Sequence, residues 1–125
     1  MADISPGQDL DLSFLYEIAD GSTEFIVESI AMFLEQTPEL MTVIDDALAG
    51  SDWATAGQTA HKLKPNLGFF GMPISQETIQ EIEIACKEGA PNPSEVMKKF
   101  NQVKQLVNAN LITLQQIKTE KEAEL

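Results

Sequence analysis

The sequence predicts an all-α protein: an antiparallel four-helix bundle with a short extra N-terminal helix. Three observations carry this. Apolar residues recur every three or four positions along most of the chain, as they do on one face of a helix. No stretch alternates apolar and polar residues over the length of a strand. The long periodic segments are joined by short connections, which makes neighbours in sequence antiparallel neighbours in space. At 125 residues the chain reads as a single domain, 1–125. A chain of that size buries roughly two-thirds of its surface in one core.

Taken in order, residues 1–8, with Pro6 and Gly7, read as a loose lead-in. Over 9–20, Leu12, Leu15 and Ala19, with Phe14 and Ile18 beside them, predict a short helix that Asp20, Gly21 and Ser22 break. Ser22 is then an N-cap, and Glu24 stands in the first turn, where the helix dipole favours negative charge. The following stripe is Ile26, Ile30, Phe33, Thr37, Leu40, Ile44 and Leu48. Pro38 lies inside it and predicts a kink or a break into two helices. Gly50 and Ser51 close the element, and a central helix over 52–70 follows at once. Gly71, Met72 and Pro73 form the next turn. The helix over 74–88 places Thr78, Ile79, Ile82, Ala85 and Cys86 inward and stops at Gly89. Asn92, Pro93 and Glu95 are a strong start signal: a capping side chain, proline at the first helical position and an acid at the third. Val96, Phe100, Val103, Val107, Leu111, Leu114 and Ile117 make the last stripe, and residues 118–125 read as a polar, fraying tail.

Composition narrows the function. The formal charge is −12, and all eight basic residues are lysine. A chain this acidic is repelled by phosphate backbones and anionic lipid, which argues against nucleic acid and membrane partners. No apolar run reaches the ~18 residues of a membrane span, and the N-terminus lacks a basic-then-apolar leader. One cysteine, Cys86, excludes an internal disulfide, and with a single histidine it leaves no zinc site. No glycine-rich nucleotide loop occurs, and no serine stands in a nucleophile-elbow context. These features fit a cytoplasmic monomer, and the starting methionine fits a free-standing protein.

The chemistry is concentrated between Gln58 and Gly71, around the only histidine. Trp53, Ala56, Ala60, Leu63, Leu67 and Phe70 form the buried stripe of the central helix. At about 100° per residue from Trp53, that stripe centres near −40°. Lys64, Gly57, Gly68 and His61 fall at about 20°, 40°, 60° and 80°. The imidazole therefore stands off the flank of the stripe, with a lysine one turn along and two glycines leaving the nearby surface bare. A lone histidine or lysine on a helix is ordinarily an inert surface residue; this angular arrangement is what lifts His61 and Lys64 above that.

Ala60, His61, Lys62, Leu63 and Lys64, followed by Gly68 and Gly71, resemble the signature of the histidine-containing phosphotransfer (HPt) domains of bacterial multistep phosphorelays. The family pattern is Ala-His-x-Leu-Lys-Gly, then small residues, then a glycine ten positions after the histidine. The resemblance implies a four-helix bundle with His61 as phosphoacceptor and Lys64 as the lysine that neutralises the phosphate. It implies that Gly68 faces the docking site and that Gly71 closes the motif. It also implies response-regulator receiver domains and a hybrid sensor histidine kinase as partners. The chain would be a phosphocarrier without catalytic activity of its own and without a cofactor, the partner receiver supplying Mg2+. Gly57, Gln58, Lys62, Pro65 and Gly68 are the expected docking residues.

Physical chemistry accords with that expectation. A neutral imidazole nitrogen can attack an aspartyl phosphate and later hand the group on. Lys64, three residues from His61, lies on the same helix face and offers positive charge to the phosphoryl oxygens. Gly71 reads as a helix C-cap, Phe69 and Phe70 as core at the helix end, and Trp53, Cys86 and the methionines as core. One departure stands out: Pro65 occupies the position of the glycine expected after the lysine. It removes the N–H that would bond the His61 carbonyl and should bend the helix there, moving the docking surface. A bend that carried Lys64 away from His61 would favour the alternative of a phosphate-independent docking module.

Overall fold

The computed structural model describes residues 9–125, so the expectation for residues 1–8 lies outside it. Five helices follow one another: α1 (Ser13–Ala19), α2 (Thr23–Ala49), α3 (Trp53–Phe69), α4 (Pro73–Lys87) and α5 (Pro93–Glu122). There is no strand among the described residues. Helices α2 to α5 form a closed circuit in which α3 packs on α2 and α4, and α5 packs on α2 and α4. The most extensive of these contacts joins α3 to α4, while α1 lies against α2. This is the all-α bundle with one short extra helix that the sequence predicts.

The starts of three helices are fixed by their own side chains. Ser22 Oγ accepts from the Phe25 N–H at 3.1 Å, Asp52 Oδ1 from Thr55 at 3.2 Å and Asn92 Oδ1 from Glu95 at 3.4 Å. Helix α3 ends in a Schellman turn: Gly71 has φ +64°, and the Met72 N–H reaches the Leu67 carbonyl at 2.9 Å. Met72 and Leu67 are both fully buried, the apolar contact such a turn favours. This corner sets the approach of α4 to α3.

Helix α4 is capped from a distance. Met72, its N-cap residue, gives no side-chain bond, and Pro73 has no N–H. The buried Asp9 carboxylate takes the Ile74 N–H at 2.7 Å, the Ser75 N–H at 2.9 Å and the Ser75 hydroxyl at 2.7 Å. The Asp9 carbonyl accepts from Asn110 Nδ2 at 2.9 Å, and the Asp11 N–H donates to the Gly71 carbonyl at 2.9 Å. Residues 9–12 are thus a strap tying α5 and the α3–α4 corner together. The expected helix over 9–20 accordingly starts only at Ser13, whose N–H and hydroxyl Asp11 Oδ1 engages.

Three other expectations need correction. Helix α2 is unbroken at Pro38. Pro38 is exposed, so water can take over the Leu34 carbonyl that the missing N–H leaves free. Beyond it Met41 is buried and Leu40 only half-buried. The helix of the polar tail runs on to Glu122, supported by Lys118 on Glu122 at 3.0 Å and Lys121 over the Tyr16 ring at 5.5 Å. The methionines divide: Met41 and Met72 are buried, Met32 and Met97 exposed, and Met1 lies outside the described residues. Methionine is apolar but flexible, and composition alone does not place it.

The core runs the length of the bundle, through Leu15, Ile30, Ile44, Leu63, Leu67, Ile79, Ile82, Phe100, Val103 and Leu114. Phe70 closes it against Phe33, with ring centroids 4.4 Å apart, and Phe69 is half-buried edge-on to Phe14. Cys86 is buried, as expected.

Candidate functional site

Helix α3 buries Ala56, Ala60, Leu63 and Leu67, so the off-stripe positions emerge toward α4 and solvent. His61 does so with its side chain 68% exposed. One face of the ring is committed: Nδ1 lies 2.9 Å from Glu83 Oε2. A carboxylate only accepts, so in the neutral ring this contact places the proton on Nδ1 and leaves the Nε2 lone pair free. Lys64 Nζ donates to the other oxygen of the same carboxylate, Oε1, at 2.9 Å. Lys87, one turn along α4 from Glu83, reaches Oε2 at 3.1 Å. A single side chain thus gathers an imidazole and two ammonium groups from two helices.

Glu83 itself is 4% exposed. Burial pushes its carboxyl upward, but the bonds from Lys64, Lys87 and His61 outweigh that and hold it down at about 2. It is therefore ionised at any physiological pH. The sequence carried a signal for it that went unread. Glu83 lies four residues after Ile79 and three before Cys86, inside the apolar stripe of α4. An acid in a buried stripe demands a positive partner. Thr78 and Ala85, expected inward, are only half-buried, whereas Ser75 and Glu83 take fully buried places because each has polar partners there.

Pro65 does not break the helix. α3 is continuous from Trp53 to Phe69, Pro65 is exposed, and Lys64 stays on the Glu83 side. The Lys64 carbonyl also accepts a long bond from Gln76 Nε2 at 3.4 Å. The glycines behave otherwise than as bare surface. Gly57 is buried, and a Cβ there would stand 3.2 Å from Cys86 Cβ, so its smallness serves the close approach of α3 and α4. The space over Gly68 is filled by the Gln76 side-chain amide. Gly71 has both a positive φ and the Asp11 backbone pressed against it. Gln58 and Lys62 are exposed beside His61.

Next to the imidazole an open groove of about 580 Å3 runs between α3 and α4. Trp53, Ala54 and Cys86 give it apolar walls, and Lys62, Lys87 and His61 give it a basic rim. Trp53, expected in the core, is half-buried, packed against the core while lining the groove. In a chain of charge −12, three of the eight lysines stand around this histidine. No group of three or more His, Cys, Asp or Glu side chains among the described residues could hold a metal ion.

The family profile for the Hpt domain matches residues 28–117, which includes α3, α4 and most of α2 and α5. The chain belongs to the Hpt domain family. It is also 27% identical over 86 residues to the signal transduction histidine-protein kinase BarA of Shigella flexneri. That alignment covers 69% of this chain and 9% of the kinase, so the chain spans less than a tenth of that relative's length. No solved structure matches significantly. Family membership makes this an Hpt module of histidine phosphotransfer in phosphorelays, with His61 its single histidine. No helix among the described residues is long and apolar enough to cross a membrane.

Proposed function

We propose that this Hpt domain is a relay carrier: His61 Nε2 accepts a phosphoryl group from the aspartate of one receiver domain and passes it to another. The observation that carries the reading is the exposed imidazole whose Nδ1 is held by the buried Glu83 carboxylate. That bond fixes the ring's orientation and supports an Nε2 that is both nucleophilic and accessible. Lys64, held on the other oxygen of the same carboxylate, is the cation that would meet phosphoryl oxygens arriving at Nε2. The uninterrupted α3 and the position of Lys64 favour transfer over docking alone.

The partner would be a receiver domain docking on the groove beside His61, its apolar surface against Trp53 and Ala54 and its acidic site facing Lys62 and Lys87. A receiver would bring Mg2+ and most of the charge stabilisation, so this chain needs only to present a nucleophile and a cation. A hybrid sensor kinase is the expected origin of the phosphate. Incubation with a phosphorylated receiver domain of the same organism tests the reading. An alkali-stable, acid-labile label should appear on the intact protein and be absent from His61→Gln. Receiver binding without label would reduce the protein to a docking module.

A further inference from the structure

We propose that Lys87 is a second cation for the phosphoryl group, released from Glu83 by the charge that the imidazole gains on phosphorylation. The inference rests on His61 being the phosphoacceptor. In the unphosphorylated protein two groups share one oxygen: Glu83 Oε2 lies 2.9 Å from His61 Nδ1 and 3.1 Å from Lys87 Nζ. Lys64 takes the other oxygen, Oε1, at 2.9 Å. The two lysines also differ in freedom. Lys64 is 24% exposed and does not line the groove, whereas Lys87 is 69% exposed and lines it together with His61.

Around a neutral ring, the Glu83 carboxylate and the two ammonium groups bonded to it leave one positive charge unmatched. In the transfer step the Nε2 lone pair forms the N–P bond as the P–O bond to the receiver aspartate breaks, and that bonding pair leaves on the aspartate carboxylate. Nδ1 keeps its proton on Glu83 Oε2, so the ring becomes a cation with the buried carboxylate as its counter-ion. The phosphoryl group brings close to two negative charges, so the phosphorylated side chain is about one unit negative, which the unmatched positive charge meets. Lys64, with three donors, can stay on Oε1 and still face arriving oxygens. The contact of Oε2 with the ring is now ion to ion. Lys87, the longer contact on that oxygen and an exposed, weakly held ion pair on a flexible stem, is the one to turn toward the phosphoryl group. Onward transfer returns the N–P pair to Nε2, the ring to neutrality and Lys87 to Glu83.

Labelling with phosphoramidate tests this without a partner, so that docking plays no part. Its phosphoryl group passes to Nε2 as the P–N bond breaks and that bonding pair leaves on ammonia. Phosphorus NMR of the labelled protein, titrated from about pH 5 to about pH 8, then reads the second ionisation of the phosphoryl group, ordinarily near about 6. A cation in contact favours the dianion and lowers that pKa, so Lys87→Gln should raise it by about half a unit, the size of one exposed ion pair. Lys62→Gln removes a groove lysine outside the Glu83 cluster and should move it clearly less. In native protein the Lys87 side-chain nitrogen signal should shift on labelling. An unchanged pKa in folded Lys87→Gln, an equal rise in Lys62→Gln, or an unmoved Lys87 signal on labelled native protein overturns the role of Lys87 alone. No label on His61 of the native protein removes the carrier reading and this inference with it.

Discussion

Asp9 stands 65 residues away from the helix it caps, and its removal should cost far more than an ordinary N-cap. Asp9→Ala deletes three hydrogen bonds at once: to the Ile74 and Ser75 N–H groups at 2.7 and 2.9 Å and to Ser75 Oγ at 2.7 Å. Pro73 offers no donor and Met72 no cap, so nothing local replaces them. Asp9 and Ser75 are buried, so the freed donors cannot turn to water without opening the strap. Each charge-assisted bond is worth about 1.5–3 kcal/mol alone, and three on one carboxylate are not additive. A loss of about 3 kcal/mol follows, roughly three times that of a typical surface cap. In urea, with a slope of about 1.5 kcal/mol per molar, the midpoint should fall by about 2 M. Asp9→Asn keeps one acceptor and should fall between, and Ser75→Ala should lose about 1 kcal/mol. Far-ultraviolet circular dichroism through the transition reads all three. A two-state Asp9→Ala transition within 1 kcal/mol of the native protein would refute the strap as the cap of α4.

Four further outcomes follow from the same geometry. Gly71→Ala should be severely destabilised in a thermal melt, by about 3 kcal/mol or more, because φ +64° is strained for alanine and its Cβ would overlap the Asp11 backbone. Gly68→Ala displaces only the Gln76 amide and should cost about 1 kcal/mol or less. The folded-state pKa of Glu83, about 2, lies below its ordinary 4.5, so its contribution to stability is complete above about pH 4.5 and is lost as pH falls toward 2. Nominally that is about 3 kcal/mol, which screening at the exposed Lys87 and His61 reduces to about 1–2. Urea titrations at pH 6 and pH 3 should show the loss, and Glu83→Gln should show less of it. Pro65→Ala should raise stability by about 1 kcal/mol, since the ring removes a hydrogen bond from an otherwise continuous helix, and should leave the transfer rate from a receiver within about twofold.

Much of the bundle was legible because each helix announces itself in residues close together. Ser22 and Asn92 cap where their side chains dictate, Gly71 closes α3, and the three-four stripes supply most of the core. His61 and Lys64 were legible for the same reason, being one turn apart on a single helix. What escaped is what links distant segments. Asp9 reads as the start of a helix until α4 is seen to lack a cap, and the stripe position of Glu83 calls for a positive partner without saying that α3 delivers His61 and Lys64 to it. Gly57 and Gly68 looked like clear surface because a helical wheel does not show the neighbouring helix, whose Cys86 and Gln76 fill the space. Pro38 and Pro65 break neither helix, because both lie on exposed faces where a missing hydrogen bond is tolerated.

The central claim is that Nε2 of His61 carries the phosphoryl group while Glu83 holds Nδ1. A proton–phosphorus correlation spectrum of the protein phosphorylated by its receiver identifies the bonded nitrogen directly. Coupling through Nε2 to both adjacent ring carbon protons, lost in His61→Gln, is the predicted result. Phosphate on Nδ1, which would require breaking the 2.9 Å contact to Glu83, or on a residue other than His61, would contradict the account.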